Sequence, residues 1–182
     1  DDFPRLAQAL SAAPADADAL FALADALRED PLGNKAAQGE LAIAAVQAGL
    51  AALDKAGSPT DWARGQVTLG NAYADRIRGE RADNLERALA AYQQALTVYT
   101  PSAFPVQWAT TTYNISLLHA TLSDEARQRG DAVQCRVQRA TALAAMRATL
   151  DVYTADGFPE DHADALRQIA RIEAIDCDNN GG

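Results

Sequence analysis

DWARGQVTLGNAY (Asp61–Tyr73) returns in altered form as QWATTTYNISLLH (Gln107–His119), which sets Trp62 and Trp108 46 residues apart. The same shift backwards lays Leu23 and Ala24 on Leu69 and Gly70, Gly33 on Gly79, and Glu40 on Glu86. Forwards, VYTPSAFP (98–105) matches VYTADGFP (152–159) at a spacing of 54. The third copy therefore holds eight extra residues within 120–138, and these are expected to lengthen its internal turn. Self-similarity at such a period marks an array of one supersecondary unit.

Each copy carries two helical stripes. In the second copy Trp62, Gln66, Leu69, Gly70, Tyr73 and Ile77 form one, and Leu85, Ala88, Leu89, Tyr92, Leu96 and Tyr99 form the other. Both keep the three-four spacing of an amphipathic helix. Ser58-Pro59-Thr60-Asp61 supplies a cap, a first-turn proline and an acid at the positive end of the dipole. Asp83 followed by Glu86 has the spacing of a capping box, and Gly57 and Gly79 stand where helices should stop. Small residues recur at Ala24, Gly70, Ser116 and Ala170, each after an aliphatic: Leu23, Leu69, Ile115 and Ile169. Ala42, Ala88 and Ala142 take the corresponding place on the second helix of each pair, so close helix approach is expected there. The expected pairs span 16–57, 59–101 and 104–155. A short helix near Pro4–Ala12 precedes them and a last helix, about Pro159–Ala174, follows.

Leu69-Gly70-x-x-Tyr73 and Ala88-x-x-x-Tyr92-x-x-Ala95 resemble the tetratricopeptide (TPR) signature, in an extended repeat like those of large bacterial proteins. The resemblance implies an all-α, right-handed solenoid of seven or eight helices, folded as one domain over 1–182. Its parts would be an N-terminal helix (1–15), repeats at 16–61, 62–107 and 108–161, and a final helix and tail (162–182). It also implies a concave face built from the first helix of each pair. Carried over position by position, that face holds Asp18, Phe21 and Asp25; Arg64, Val67 and Asn71; Thr110, Tyr113 and Leu117; and Asp164, Arg167 and Arg171. Exposed Phe21, Tyr113 and Leu117 would anchor apolar side chains of a bound peptide, and Asn71 with Arg64 would hold its backbone or a carboxylate.

Composition narrows the classes. Apolar residues reach 48% but aromatics only 6%, an alanine-rich balance suited to helix packing and not to a β-sandwich. A net charge of −9 offers no basic field for nucleic acid. No run is long and apolar enough for a membrane span, and the most apolar stretch, LAIAAVQAGLAAL (41–53), reads as a buried helix. The chain opens on Asp1 without a methionine, as a processed or excised piece would. A cytoplasmic location is the expectation, with an exported form left open.

The three arginines of NAYADRIRGERADNL (71–85) read as an intra-repeat turn. Arg76, Arg78 and Arg81 are expected to pair with Asp75, Glu80, Asp83 or neighbouring-repeat acids such as Glu29 and Asp30, because one glycine without a Walker or GxGxxG pattern makes no phosphate loop. His119 and His162 align with Tyr73 and Trp108, which are packing positions. No nucleophile, base and acid come together, and no zinc spacing appears. The terminal DCDNNGG lacks the twelfth-position Glu of a calcium loop. No cofactor and no catalysis are expected. Two functions stay open: a groove that docks a peptide or helix, and a structural or self-associating segment of a larger protein. Cys135 and Cys177 should lie at one edge of the array, so a bridge is conceivable. Two free thiols in a reducing cytosol are the favoured reading, because a lone cysteine pair is common by chance.

Overall fold

The computed structural model describes residues 16–178. The expected helix near Pro4–Ala12 lies outside them. The described residues form seven α-helices and no strand: α1 (Ala17–Glu29), α2 (Lys35–Ala52), α3 (Pro59–Ala74), α4 (Arg81–Leu96), α5 (Pro105–Gln128), α6 (Ala132–Thr149) and α7 (Pro159–Glu173). The chain is all-α, and its main contacts join consecutive helices. It divides into two compact units, Asp1–Val98 and Tyr99–Gly182.

Helix starts follow local chemistry. Asp16, Asn34 and Asp131 cap α1, α2 and α6, each side chain accepting from a backbone N–H two or three residues on. The helices α3, α5 and α7 begin instead with a proline at the first position, whose missing N–H removes one orphan donor. The cap of α4 is Glu80, so Asp83 sits inside the first turn and the expected capping box is not formed. Gly79 does supply a left-handed turn residue, at φ +78°.

In the first unit α1 pairs with α2 and α3 with α4, while α2 and α1 both touch α3. Ala24, Ala42 and Ala88 are fully buried, as the repeat pattern requires of close-packed positions. Gly70 is the tightest of them: a Cβ there would lie 2.4 Å from Tyr92 Cε1. The Tyr92 ring fills the notch, and its hydroxyl donates to Asn71 Oδ1 at 2.6 Å. Replacing Gly70 with leucine is therefore expected to cost about 1–3 kcal/mol or more by overpacking. Thermal melts that leave this variant as stable as the parent would remove the notch from the account.

In the arginine turn, Arg76 pairs with an acid of the preceding repeat, one of the kinds of partner expected from sequence. Arg76 reaches back to Glu40 on α2, with Nε–Oε1 at 2.6 Å and Nη2–Oε2 at 2.9 Å. That fork raises the arginine's pKa, chiefly through the Glu40 hydrogen bond. Asn84, buried at the start of α4, accepts from Arg76 Nη1 and donates to the carbonyl of Arg78 at 2.8 Å. Arg81 Nη1 donates to the carbonyl of Ala74 at 2.6 Å.

In the second unit α5 packs on α6 and α6 on α7. Ser116 takes the small-residue position and donates its Oγ hydrogen to the carbonyl of Ala142 at 2.7 Å, both residues fully buried. Met146, Ala165 and Ile172 complete the core around Ala142. The eight extra residues of this copy lie in a helix. α5 has 24 residues where α3 has 16, and only Arg129–Asp131 separate it from α6. The expected long turn is thus a helical extension closed by Gly130 at φ +74°. Helix lets each added residue keep a backbone hydrogen bond that an eight-residue loop would leave to water.

The expectation of free thiols is overturned. Cys135, in the first turn of α6, is bonded to Cys177, just past α7, with Cα atoms 5.6 Å apart. Both cysteines are buried, beside Ala126 of the α5 extension and Ile175. Arg139 Nη1 donates to the carbonyl of Ile175 at 2.6 Å, so the segment after α7 is held to α6 by a covalent and a polar link.

Candidate functional groove

The residues assigned to a first-helix face do not share one environment. In the first unit they are spent on packing. Phe21 is 1% exposed and is not a surface anchor. Its ring lies against Gly49 and Gly65, where added Cβ atoms would come within 2.7 and 2.4 Å of it. The Arg64 guanidinium covers the ring at 5.2 Å and pairs with Asp18. Asp25 pairs with Arg28 at 3.2 Å, Asn71 accepts from Tyr92, and Val67 is half-buried.

In the second unit the assigned residues gather between α5 and α7. Thr110, Tyr113, Asp164 and Arg167 line one cavity of about 440 Å³, together with Asn114, Tyr153, Glu160 and Asp161. Leu117 and Arg171 line a larger one of about 740 Å³. Its apolar lining is Leu117, Ala120, Ile172 and Ile175, and its polar lining is Thr121, Asp124, Glu125, Gln128, Gln168 and Arg171. Helical spacing explains the sharing. Thr110, Tyr113, Leu117, Ala120, Asp124 and Gln128 follow one another at three or four residues along α5, and Asp164, Gln168 and Arg171 do so along α7.

Polar order in the smaller cavity centres on Tyr113. Its hydroxyl donates to Asp164 Oδ2, and Asp164 Oδ1 accepts from Arg167 at 2.8 Å. Burial, helped by the Asp164 bond, pushes the Tyr113 pKa up to about 12. The same bond, with Arg167, holds the Asp164 carboxyl below its usual range. The pair is thus a neutral donor on a carboxylate across neutral pH. Thr110 Oγ1 lies 2.8 Å from the Tyr153 hydroxyl, and both residues line the cavity. In the larger cavity Asp124 is held by Arg127 and Gln128, both at 2.7 Å, and Arg171 donates to Gln168 at 3.3 Å.

Beyond Leu117, the α5 part of the larger cavity escaped the sequence reading because the extra residues were assigned to a turn. A signal was present: no proline or glycine falls between Pro105 and Gly130, so nothing stops the helix at Ala120. The histidines pack, as their repeat positions imply. His119 Nδ1 lies 2.7 Å from Gln138 Oε1, and His162 Nδ1 lies 2.7 Å from the carbonyl of Tyr153. Among the described residues no set of three His, Cys, Asp or Glu is placed to hold a metal ion, and no helix is long and apolar enough to cross a membrane.

Comparison with protein-family models, with curated proteins and with solved structures returns no match for this chain.

Proposed function

We propose that the chain is a non-catalytic, TPR-like protein-interaction module that takes a peptide or helix of another protein along the groove between α5 and α7. The observation that carries this reading is the pair of cavities lined by side chains from both of these helices. An apolar floor beside carboxylates, amides and one loosely held arginine suits a polypeptide with a buried anchor side chain and polar flanks. The second reading, a structural or self-associating segment of a larger bacterial protein, draws support from Leu166 of α7, which is 47% exposed.

A test begins with peptides selected on the parent protein from a random display library. Leu117→Arg, which places a long cation on the apolar floor, is expected to weaken the selected peptides at least tenfold. Val137→Arg, on the exposed side of α6, should leave them unchanged. Equal binding by both variants, or amide shifts confined to α4 and α6, would defeat the groove. The buried Cys135–Cys177 bridge favours an oxidising compartment over the reducing cytosol expected from sequence.

A further inference from the structure

Repeat-equivalent positions show which side of α7 is built to be covered. Ala17, Ala63 and Ala109 are buried, whereas their counterpart Ala163 is exposed. Ala24, Gly70 and Ser116 are buried, whereas Ala170 is exposed. Leu20 and Thr112 are each 7% exposed, whereas Leu166 is 47% exposed. In α1, α3 and α5 this side meets the second helix of the same copy, as Gly70 meets Tyr92 and Ser116 meets Ala142. No described helix meets it on α7. Ala163, Leu166 and Ala170 thus form a seat shaped for close helix approach, with one large apolar residue at its middle.

Charge identifies what fits. Glu160 and Arg171 are both exposed and stand about three turns apart on one flank of this seat. An antiparallel copy of α7, related by a two-fold axis near Leu166, brings like flank to like flank. Ala163 of one copy then lies opposite Ala170 of the other, the two Leu166 side chains meet near the axis, and each Glu160 reaches the other copy's Arg171. The first-turn acids also meet the other helix's basic last turn, as the helix dipoles favour. Self-complementarity of this kind is what an isologous contact requires. We propose that α7 pairs antiparallel with α7 of a second copy of the chain. One helix pair lies at the low end of stable interfaces, so the association is weak.

Sedimentation velocity from about 10 µM to about 1 mM brackets such an affinity. A concentration-dependent dimer is expected in the parent. Leu166→Glu should weaken it at least tenfold, and Leu166 is exposed enough for the variant to fold. Glu160→Arg and Arg171→Glu should each weaken it several-fold, and combining them should restore the parent's constant to within about twofold. Leu166→Cys should form a disulfide-linked dimer on mild oxidation, whereas Val133→Cys on α6 should not. A monomer throughout, a double variant no better than either single one, or equal cross-linking at Leu166→Cys and Val133→Cys would overturn the pairing. Leu117→Arg lies in the groove and should leave the dimer intact, so loss of peptide binding and loss of pairing are read separately.

Discussion

Phe21→Ala is expected to be among the most damaging single substitutions in the first unit, at about 3–5 kcal/mol. The ring is 1% exposed and is clasped by helices on two sides. Gly49 of α2 and Gly65 of α3 leave the space it fills, and Leu50 crowds the same spot, since a Cβ on Gly65 would come within 2.7 Å of Leu50 Cδ2. Glycine inside a helix costs roughly 0.5–1 kcal/mol relative to alanine, so two glycines against one ring are a sign of space needed by that ring. Urea unfolding followed by circular dichroism measures the loss directly. The notch also predicts strong coupling. Gly65→Ala should destabilise the parent, because its Cβ would lie 2.4 Å from Phe21 Cζ, yet it should be neutral or favourable once Phe21 is alanine. A loss under about 1 kcal/mol for Phe21→Ala, or additive effects in the double variant, would contradict this packing.

The second large effect is expected from opening the Cys135–Cys177 bridge. It closes a loop with a sequence separation of 42. The chain-entropy relation gives about 4 kcal/mol for that size, and measured bridges commonly give about 2–4 kcal/mol. Cys135→Ala with Cys177→Ala should therefore melt well below the parent, and dithiothreitol should bring the parent to nearly the same midpoint. Alkylation of the unfolded, unreduced parent should label no thiol, and after reduction two. Two labelled thiols before reduction would show that no bridge exists. An unchanged midpoint on reduction would show that the tail is held without it, by contacts such as Arg139 to the Ile175 carbonyl.

Much of the helical order was legible because it is written in period and punctuation. Pro59, Pro105 and Pro159 open three helices, and the alanines at 42, 88 and 142 are buried where the repeat comparison places them. The errors share a cause, which is that one-dimensional reading sees spacing but not what lies across from it. Phe21 occupies a face position by spacing, yet the glycines that swallow its ring stand 28 and 44 residues later. Spacing likewise left several acids open to Arg76, and only the fold selects Glu40 of the preceding repeat, whose two oxygens match the guanidinium fork. The cysteines were placed at one edge correctly, but bond formation depends on their 5.6 Å Cα separation, which no pattern states. Of the face residues, those on α5 and α7 do converge on cavities. Those on α1 and α3 are largely consumed by ion pairs and by the core.

The eight-residue lengthening of α5 bears on how a recess can be walled without repacking the helix pairs. Thr121, Asp124, Glu125 and Gln128 all belong to that end of the helix, and together they wall part of one side of the larger cavity. The added length thus supplies one part of a cavity whose remaining lining, from Leu117 and Ala120 to Arg171 and Ile175, lies outside it. Eight residues add a little over two helical turns, so the extra segment carries the same α5 stripe further while the earlier turns keep their packing. An array can in this way gain a new recess without disturbing the alanines that hold its helix pairs together. Insertions of near-whole turns in single copies are then the variation to look for when related chains differ in what they hold.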